Sequence, residues 1–143
     1  AALKAVMKDV PVWFGADVGK ADVKKRGWLK IDAMDMGALL NVDLKMSKKD
    51  FMTYGDSIPN HAMVLVGVDI INKKVDKWLV ENSWGKKYGD KGYWTMTKKW
   101  FDAFVYAVIV PKSVVPKKVL KALMSKPTVL QPWDPMYKAV NMD

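Results

Sequence analysis

Apolar positions fall into short runs along this chain, and their period changes from one run to the next. Residues 1–9 place Leu3, Val6 and Met7 on one helical stripe, the pattern of a helix end. "VPVWFGADVG" follows with β-branched and aromatic residues and reads as a strand. Residues 20–37 show no period and read as a polar excursion pinned by Trp28, Leu29 and Ile31. In "NVDLKMSKKDFMTYG", Ser47 is placed to cap a short helix, Asp50 sits three residues on, and Gly55 stops it. "HAMVLVGVDII" is an almost unbroken apolar run, expected of a strand covered on both faces. "NKK" turns the chain, and "VDKWLVENSW" returns as a second strand. "GKKYGDKG" is a Gly-rich loop, "YWTM" a third strand, "TKKWFDAF" a helical turn capped by Thr97, and "VYAVIV" a fourth strand. "PKSVVPKKVLKALMSKP" then predicts an amphipathic helix with Pro116 near its first turn and Val119, Leu120, Leu123 and Met124 apolar. The tail, "TVLQPWDPMYKAVNMD", carries two prolines and is expected to be extended. The layout is mainly antiparallel strands decorated by short helices.

With 143 residues, half of them apolar, the chain has the size of one domain and enough apolar surface for a core. No apolar run reaches the ~18 residues of a membrane span. The first residues, "AALKAVMKDV", lack the layout of a secretory signal and read as the middle of a protein, with a helix already under way. Net charge is +9, and every basic residue but Arg26 is a lysine. Bidentate base or phosphate recognition favours Arg, so the expectation is at most weak, non-specific binding to nucleic acid or other polyanions. There is no cysteine and one histidine. Disulfides, thiolate metal sites and a thiol nucleophile are therefore excluded within these residues, and neither a metal site nor a cofactor is expected.

That histidine, His61, opens the apolar strand, and Asn82 lies at the end of the next one, framed as "ENSWG". A His at a strand start is ordinarily a satisfied structural side chain, and Asn before Ser-Trp-Gly ordinarily marks a turn. A three-residue turn centred on Lys73 sets His61 opposite Gly85 and Asn82 opposite Val64, so the ideal register does not join them. A β-bulge would close that gap. The chemistry of a His–Asn contact is defined: a carboxamide oxygen fixes one imidazole nitrogen without adding charge, and the other nitrogen is aimed at a Cys or Ser. Trp84, two residues on, is placed to shield the pair.

"ENSWG" with "GDKGYW" after it and "NHAMVLVGVD" before it resembles the C-terminal half of a papain-like cysteine peptidase. "PVWFGADVGK" and "WDPM" resemble the bleomycin hydrolase, or aminopeptidase C, branch of that family, so the likeness runs from about residue 10 to 136. The resemblance implies an α+β fold: an antiparallel, barrel-like sheet with short helices on its rim. Residues 1–143 are then one domain, with a C-terminal helix and extended tail from about 112, lacking the Cys-bearing N-terminal half. The resemblance makes His61 the catalytic base, Asn82 its orienting residue and Trp84 the supporting cover. It also brings a C-terminal carboxylate into the cleft, here Asp143, to restrict cleavage to peptide N-termini. Peptides are the implied substrates, a chain or segment carrying the Cys is the implied companion, and a homo-oligomer, a hexameric ring in the family, is the implied assembly. A cytoplasmic protein is expected.

The sequence departs from the pattern in three places. The nucleophilic Cys and the oxyanion-hole Gln of the family have no counterpart, so this chain alone is expected to be inactive. Asn60 stands where the branch usually has Thr, a change expected to be tolerated. Ala16 stands where some relatives have Cys, at a position read as structural. A missing partner half leaves an apolar face, with Trp side chains, to be covered. A non-catalytic papain-like protein that binds peptides or scaffolds an assembly is the alternative reading, and a basic polyanion-binding module a weaker one.

Overall fold

Alternation and turn chemistry decide the strands. The computed structural model describes residues 1–140. Helix α1 (Ala2–Val6) leads into β1 (Val12–Ala16), followed by two-residue strands β2 (Asp22–Val23) and β3 (Trp28–Leu29). Short helices α2 (Met36–Leu40) and α3 (Lys48–Thr53) precede the long hairpin of β4 (His61–Ile71) and β5 (Lys74–Glu81). Next come β6 (Tyr93–Thr97), α4 (Lys98–Phe104), β7 (Val105–Ile109), α5 (Lys117–Leu123) and α6 (Pro135–Val140). The seven strands form one sheet in the order β2-β3-β6-β5-β4-β1-β7, antiparallel except where β3 runs parallel to β6. The sheet curls into a half-barrel with short helices, the papain-like architecture expected.

Several elements differ from the expectation, each for a local reason. The apolar run 61–71 is covered chiefly on one face: Met63 and Leu65 are buried, while Ile70 and Ile71 at the hairpin tip are exposed. Residues 20–37 hold more order than their lack of period suggests, because β3 pairs with β6 and β2 with β3 through the backbone, which leaves no side-chain signature. Pro116 caps α5, next to its first turn as expected, but the helix is short, with Leu123 and Met124 exposed. The tail is not wholly extended. Pro135 opens α6, where a proline costs nothing because its missing N–H would be unpaired anyway.

Trp94, Trp100, Phe14, Leu29, Met63, Leu65, Met96, Val12 and Val80 fill the concave side. Trp100 is fully buried, and its Nε1–H donates to the Lys20 carbonyl at 2.8 Å. Thr97 caps α4 as expected, accepting from Trp100 N at 3.3 Å. Ser47 and Asp50 form a reciprocal capping box on α3. On the convex side Trp13 of β1 pairs in register with Val64 of β4 and Ile109 of β7, and Trp13 and Ile109 are 54% and 72% exposed. Among the described residues no helix is long and apolar enough to cross a membrane.

Candidate active site

The β4–β5 hairpin places the site, and its register explains how. The turn has two residues, Asn72 and Lys73, both with positive φ, the type I′ geometry that suits the twist of a hairpin. This replaces the three-residue turn read from the sequence. Asp76 then bulges from β5, so that the middle of the hairpin runs in the register expected, with Val68 opposite Trp78 and Asp69 opposite Lys77. A second bulge, at Val66 of β4, shifts the pairing by one, so that Leu65 faces Val80 and Val64 faces Glu81. A shift of one residue exchanges the two faces of a strand. Asn82 therefore continues the face of Val80, the same face as Leu65, Met63 and His61. The bulge closes the gap that an ideal hairpin leaves.

On that shared face His61 Nε2 lies 3.0 Å from Asn82 Oδ1. A carboxamide oxygen only accepts, so Nε2 carries the proton and donates it, and Nδ1 is left unprotonated on the neutral ring. Asn82 is 7% exposed, and its backbone is held by a bond from its N–H to the Gly92 carbonyl at 3.1 Å. Its Nδ2 is buried without an acceptor among the described residues. Trp84 packs on the imidazole: its ring centroid is 4.8 Å from that of His61, tilted by 33°. Trp94 and Tyr88 meet Trp84 edge-on, at 5.7 Å and 5.9 Å. His61 and Trp84 are thus adjacent in space, and three of the four residues picked from the sequence, His61, Asn82 and Trp84, form one cluster. Asp143 lies outside the described residues. No three His, Asp or Glu side chains among the described residues cluster as a metal site requires.

The sequence reading passed over a second layer. Asn60 Nδ2 donates to Asp17 Oδ1 at 2.7 Å, while Asn60 Oδ1 accepts from Val18 N at 3.0 Å and Asn60 N donates to the Ala16 carbonyl at 3.0 Å. Asp17 is 4% exposed, and Ala16 is the cross-strand partner of His61. The residue read as a tolerated replacement therefore ties the start of β4 to the end of β1, one position from the imidazole. An Asn at the entry to a strand is a signal for such local capping, but its partner is 43 positions away and leaves no local pattern. Behind this layer, Ser57 bonds the Tyr106 hydroxyl at 2.8 Å. Burial raises the Tyr106 phenol above its ordinary value and lowers the neighbouring Lys48 ammonium, which donates to the Val105 carbonyl and lies 4.9 Å from the Tyr106 ring centroid.

A strand-rich half-barrel with short helices that carries a His–Asn pair is papain-like in architecture. The chain belongs to the Peptidase C1-like family, whose model matches residues 1–137. It is 44% identical over 128 residues to Aminopeptidase C of Lactobacillus helveticus, an alignment covering 87% of this chain and 28% of that protein. It is 41% identical over 134 residues to Aminopeptidase W of Lactobacillus delbrueckii subsp. lactis, covering 94% of this chain and 31% of that protein. The crystal structure of PepW from Lactobacillus rhamnosis HN001 superposes with a TM-score of 0.86 at 44% identity, over 94% of this chain and 31% of that one. The chain thus spans less than a third of the length of the relatives it matches.

Proposed function

We propose that this chain is the His/Asn wall of a cysteine aminopeptidase, and that the nucleophilic thiol comes from polypeptide outside these 143 residues. The observation that carries the reading is the bond of 3.0 Å from His61 Nε2 to the buried Asn82 Oδ1, which leaves Nδ1 as the free nitrogen. In this reading Nδ1 takes the thiol proton, giving an imidazolium–thiolate pair. The thiolate attacks the peptide carbonyl, forming a carbon–sulfur bond. As the carbon–nitrogen bond breaks, the proton on Nδ1 passes to the leaving amine. Water then gives a proton back to Nδ1 and attacks the thioester, releasing the carboxylic acid and restoring the thiol. Asn82 holds the imidazole aimed through both steps, and Trp84 keeps water off the bond that aims it. An aligned general acid and base of this kind contributes ~10²–10⁴-fold in rate.

Restriction to peptide N-termini rests on the names of the relatives. The companion polypeptide rests on the absence of cysteine from the chain together with the fraction of its relatives that it matches. The exposed row of Trp13 and Ile109 is an apolar surface suited to cover by that companion or by another copy. In the complete peptidase, His61→Ala is expected to abolish thiol-dependent release of N-terminal residues while leaving urea unfolding unchanged within about 1 kcal/mol. Wild-type turnover by that variant overturns the reading. A complete protein that folds, binds peptides and carries another residue at the Cys position instead supports the non-catalytic alternative.

A further inference from the structure

Two loops that carry basic residues meet beside Trp84, and the sequence separates them by more than fifty positions. The turn Lys24-Lys25-Arg26-Gly27 packs on the loop 85–92 so closely that a Cβ on Gly27 would lie 2.5 Å from Gly89 Cα. Thr95 N donates to the Gly27 carbonyl at 2.7 Å and fixes the turn in place. Lys24 Nζ sits 5.9 Å from the centroid of the Trp84 ring. Lys86 and Lys87 lie on the facing loop, and Arg26 stacks over Trp28 at 5.4 Å. Two carboxylates share the area. Asp22 Oδ2 is 3.9 Å from Lys24 Nζ, too far for a hydrogen bond, and Asp90 lies on the loop 85–92. The balance of charge beside Trp84 is positive, and the Lys24 side chain remains 61% exposed.

We infer that this basic rim, with Lys24 foremost, selects peptides bearing a carboxylate just past the bond to be cut. The inference rests on the proposed role of His61. The group that protonates the leaving amine must touch it, so the leaving part of the peptide begins at the imidazole and continues over what adjoins it. What adjoins it is the Trp84 ring, and beside that ring is Lys24. An extended peptide advances ~3.3–3.6 Å per residue, which places Lys24 within reach of the first two or three residues of the leaving part. The carboxylate there is an Asp or Glu side chain, or the free C-terminus of a dipeptide or tripeptide. A partly solvated ammonium that already has the Asp22 carboxylate 3.9 Å away attracts such a group without a bidentate geometry, so the selectivity is modest and sensitive to salt.

The test compares kcat/KM of the complete peptidase, this chain with its thiol-bearing companion, on peptides that differ only by Asp or Asn directly after the cleaved bond. The Asp peptide is expected to be favoured by about 1.5- to fivefold at low salt, the range of one partly exposed charge pair. The preference shrinks towards unity as ionic strength rises to about 0.5 M. Lys24→Glu abolishes or inverts the Asp/Asn preference, which is the quantity read. Lys74→Glu, at the far end of the hairpin, leaves it intact. Equal rates on both peptides in the wild type, or an Asp preference that survives Lys24→Glu, overturns the inference and leaves the reading of His61 standing. Full turnover by His61→Ala removes that reading and this inference with it.

Discussion

Replacing Asn60 by Ala deletes the link between the ends of β1 and β4. Two hydrogen bonds go: one donated to the buried Asp17 carboxylate at 2.7 Å, and one accepted from Val18 N at 3.0 Å. A bond to a charged group contributes at most about 1.5–3 kcal/mol and a neutral one about 0.5–1.5, and because Asn60 is itself exposed, water reaches the places its side chain vacates and offsets part of both. The expected loss is about 1–2 kcal/mol, against the 5–15 kcal/mol typical of a domain. Urea unfolding followed by tryptophan fluorescence reads it directly. Asn60→Asp separates geometry from charge. It sets a second carboxylate against Asp17, so at pH 7 it is expected to be at least as unstable as the Ala variant. Two carboxylates in contact bind a shared proton more tightly in the folded state than in the unfolded one, so the Asp variant regains stability as pH falls towards about 4. The Ala variant has no such recovery. An Ala variant within about 0.5 kcal/mol of wild type, or an Asp variant like wild type at pH 7, would refute the place given to Asn60.

Gly89 has φ +66°, and a Cβ there would lie 2.4 Å from the Tyr93 carbonyl oxygen, whereas at Gly85, with φ +86°, it would meet nothing within 4 Å. Gly85→Ala should therefore cost only the ~1 kcal/mol of the left-handed backbone, and Gly89→Ala a further ~1–3 kcal/mol for the clash; equal urea midpoints for the two would contradict this. Trp84→Ala opens the His61–Asn82 bond to water and should lower kcat/KM of the complete peptidase by about tenfold, the weight of one hydrogen bond; an unchanged rate denies the ring its covering role. The Asp50 carboxyl is held below its ordinary range first by the Ser47 hydroxyl and then by the Ser47 backbone N–H. Its contribution is present above the unfolded value of ~3.9 and is lost as pH falls through the lower folded value. Ser47→Ala should flatten this acid dependence in a pH titration of the urea midpoint, and an unaltered profile counts against the capping box.

The strands and the cluster were legible in the sequence to different depths. β1, β4, β6 and β7 follow from β-branched and aromatic runs, and His61, Asn82 and Trp84 from a motif whose spacing the hairpin imposes. The hairpin register was not legible. It depends on positive φ at Asn72 and Lys73 and on bulges at Asp76 and Val66, none of which has a residue signature as specific as Asn-Gly. β2 and β3 escaped because pairing of two residues leaves no period. The Asp17–Asn60 bond and the approach of Lys24 to Trp84 escaped because each joins residues far apart in the chain. Pro135 misled, since a proline that opens a helix and one that prevents it look alike in sequence.

The chain holds one histidine, so a long-range ¹H–¹⁵N spectrum of its imidazole is unambiguous. The account requires the neutral ring to be protonated at Nε2, with that proton slow to exchange and its signal displaced by Asn82→Ala. A ring protonated at Nδ1, or a spectrum indifferent to Asn82→Ala, would contradict the claim that the carboxamide of Asn82 aims the imidazole of His61.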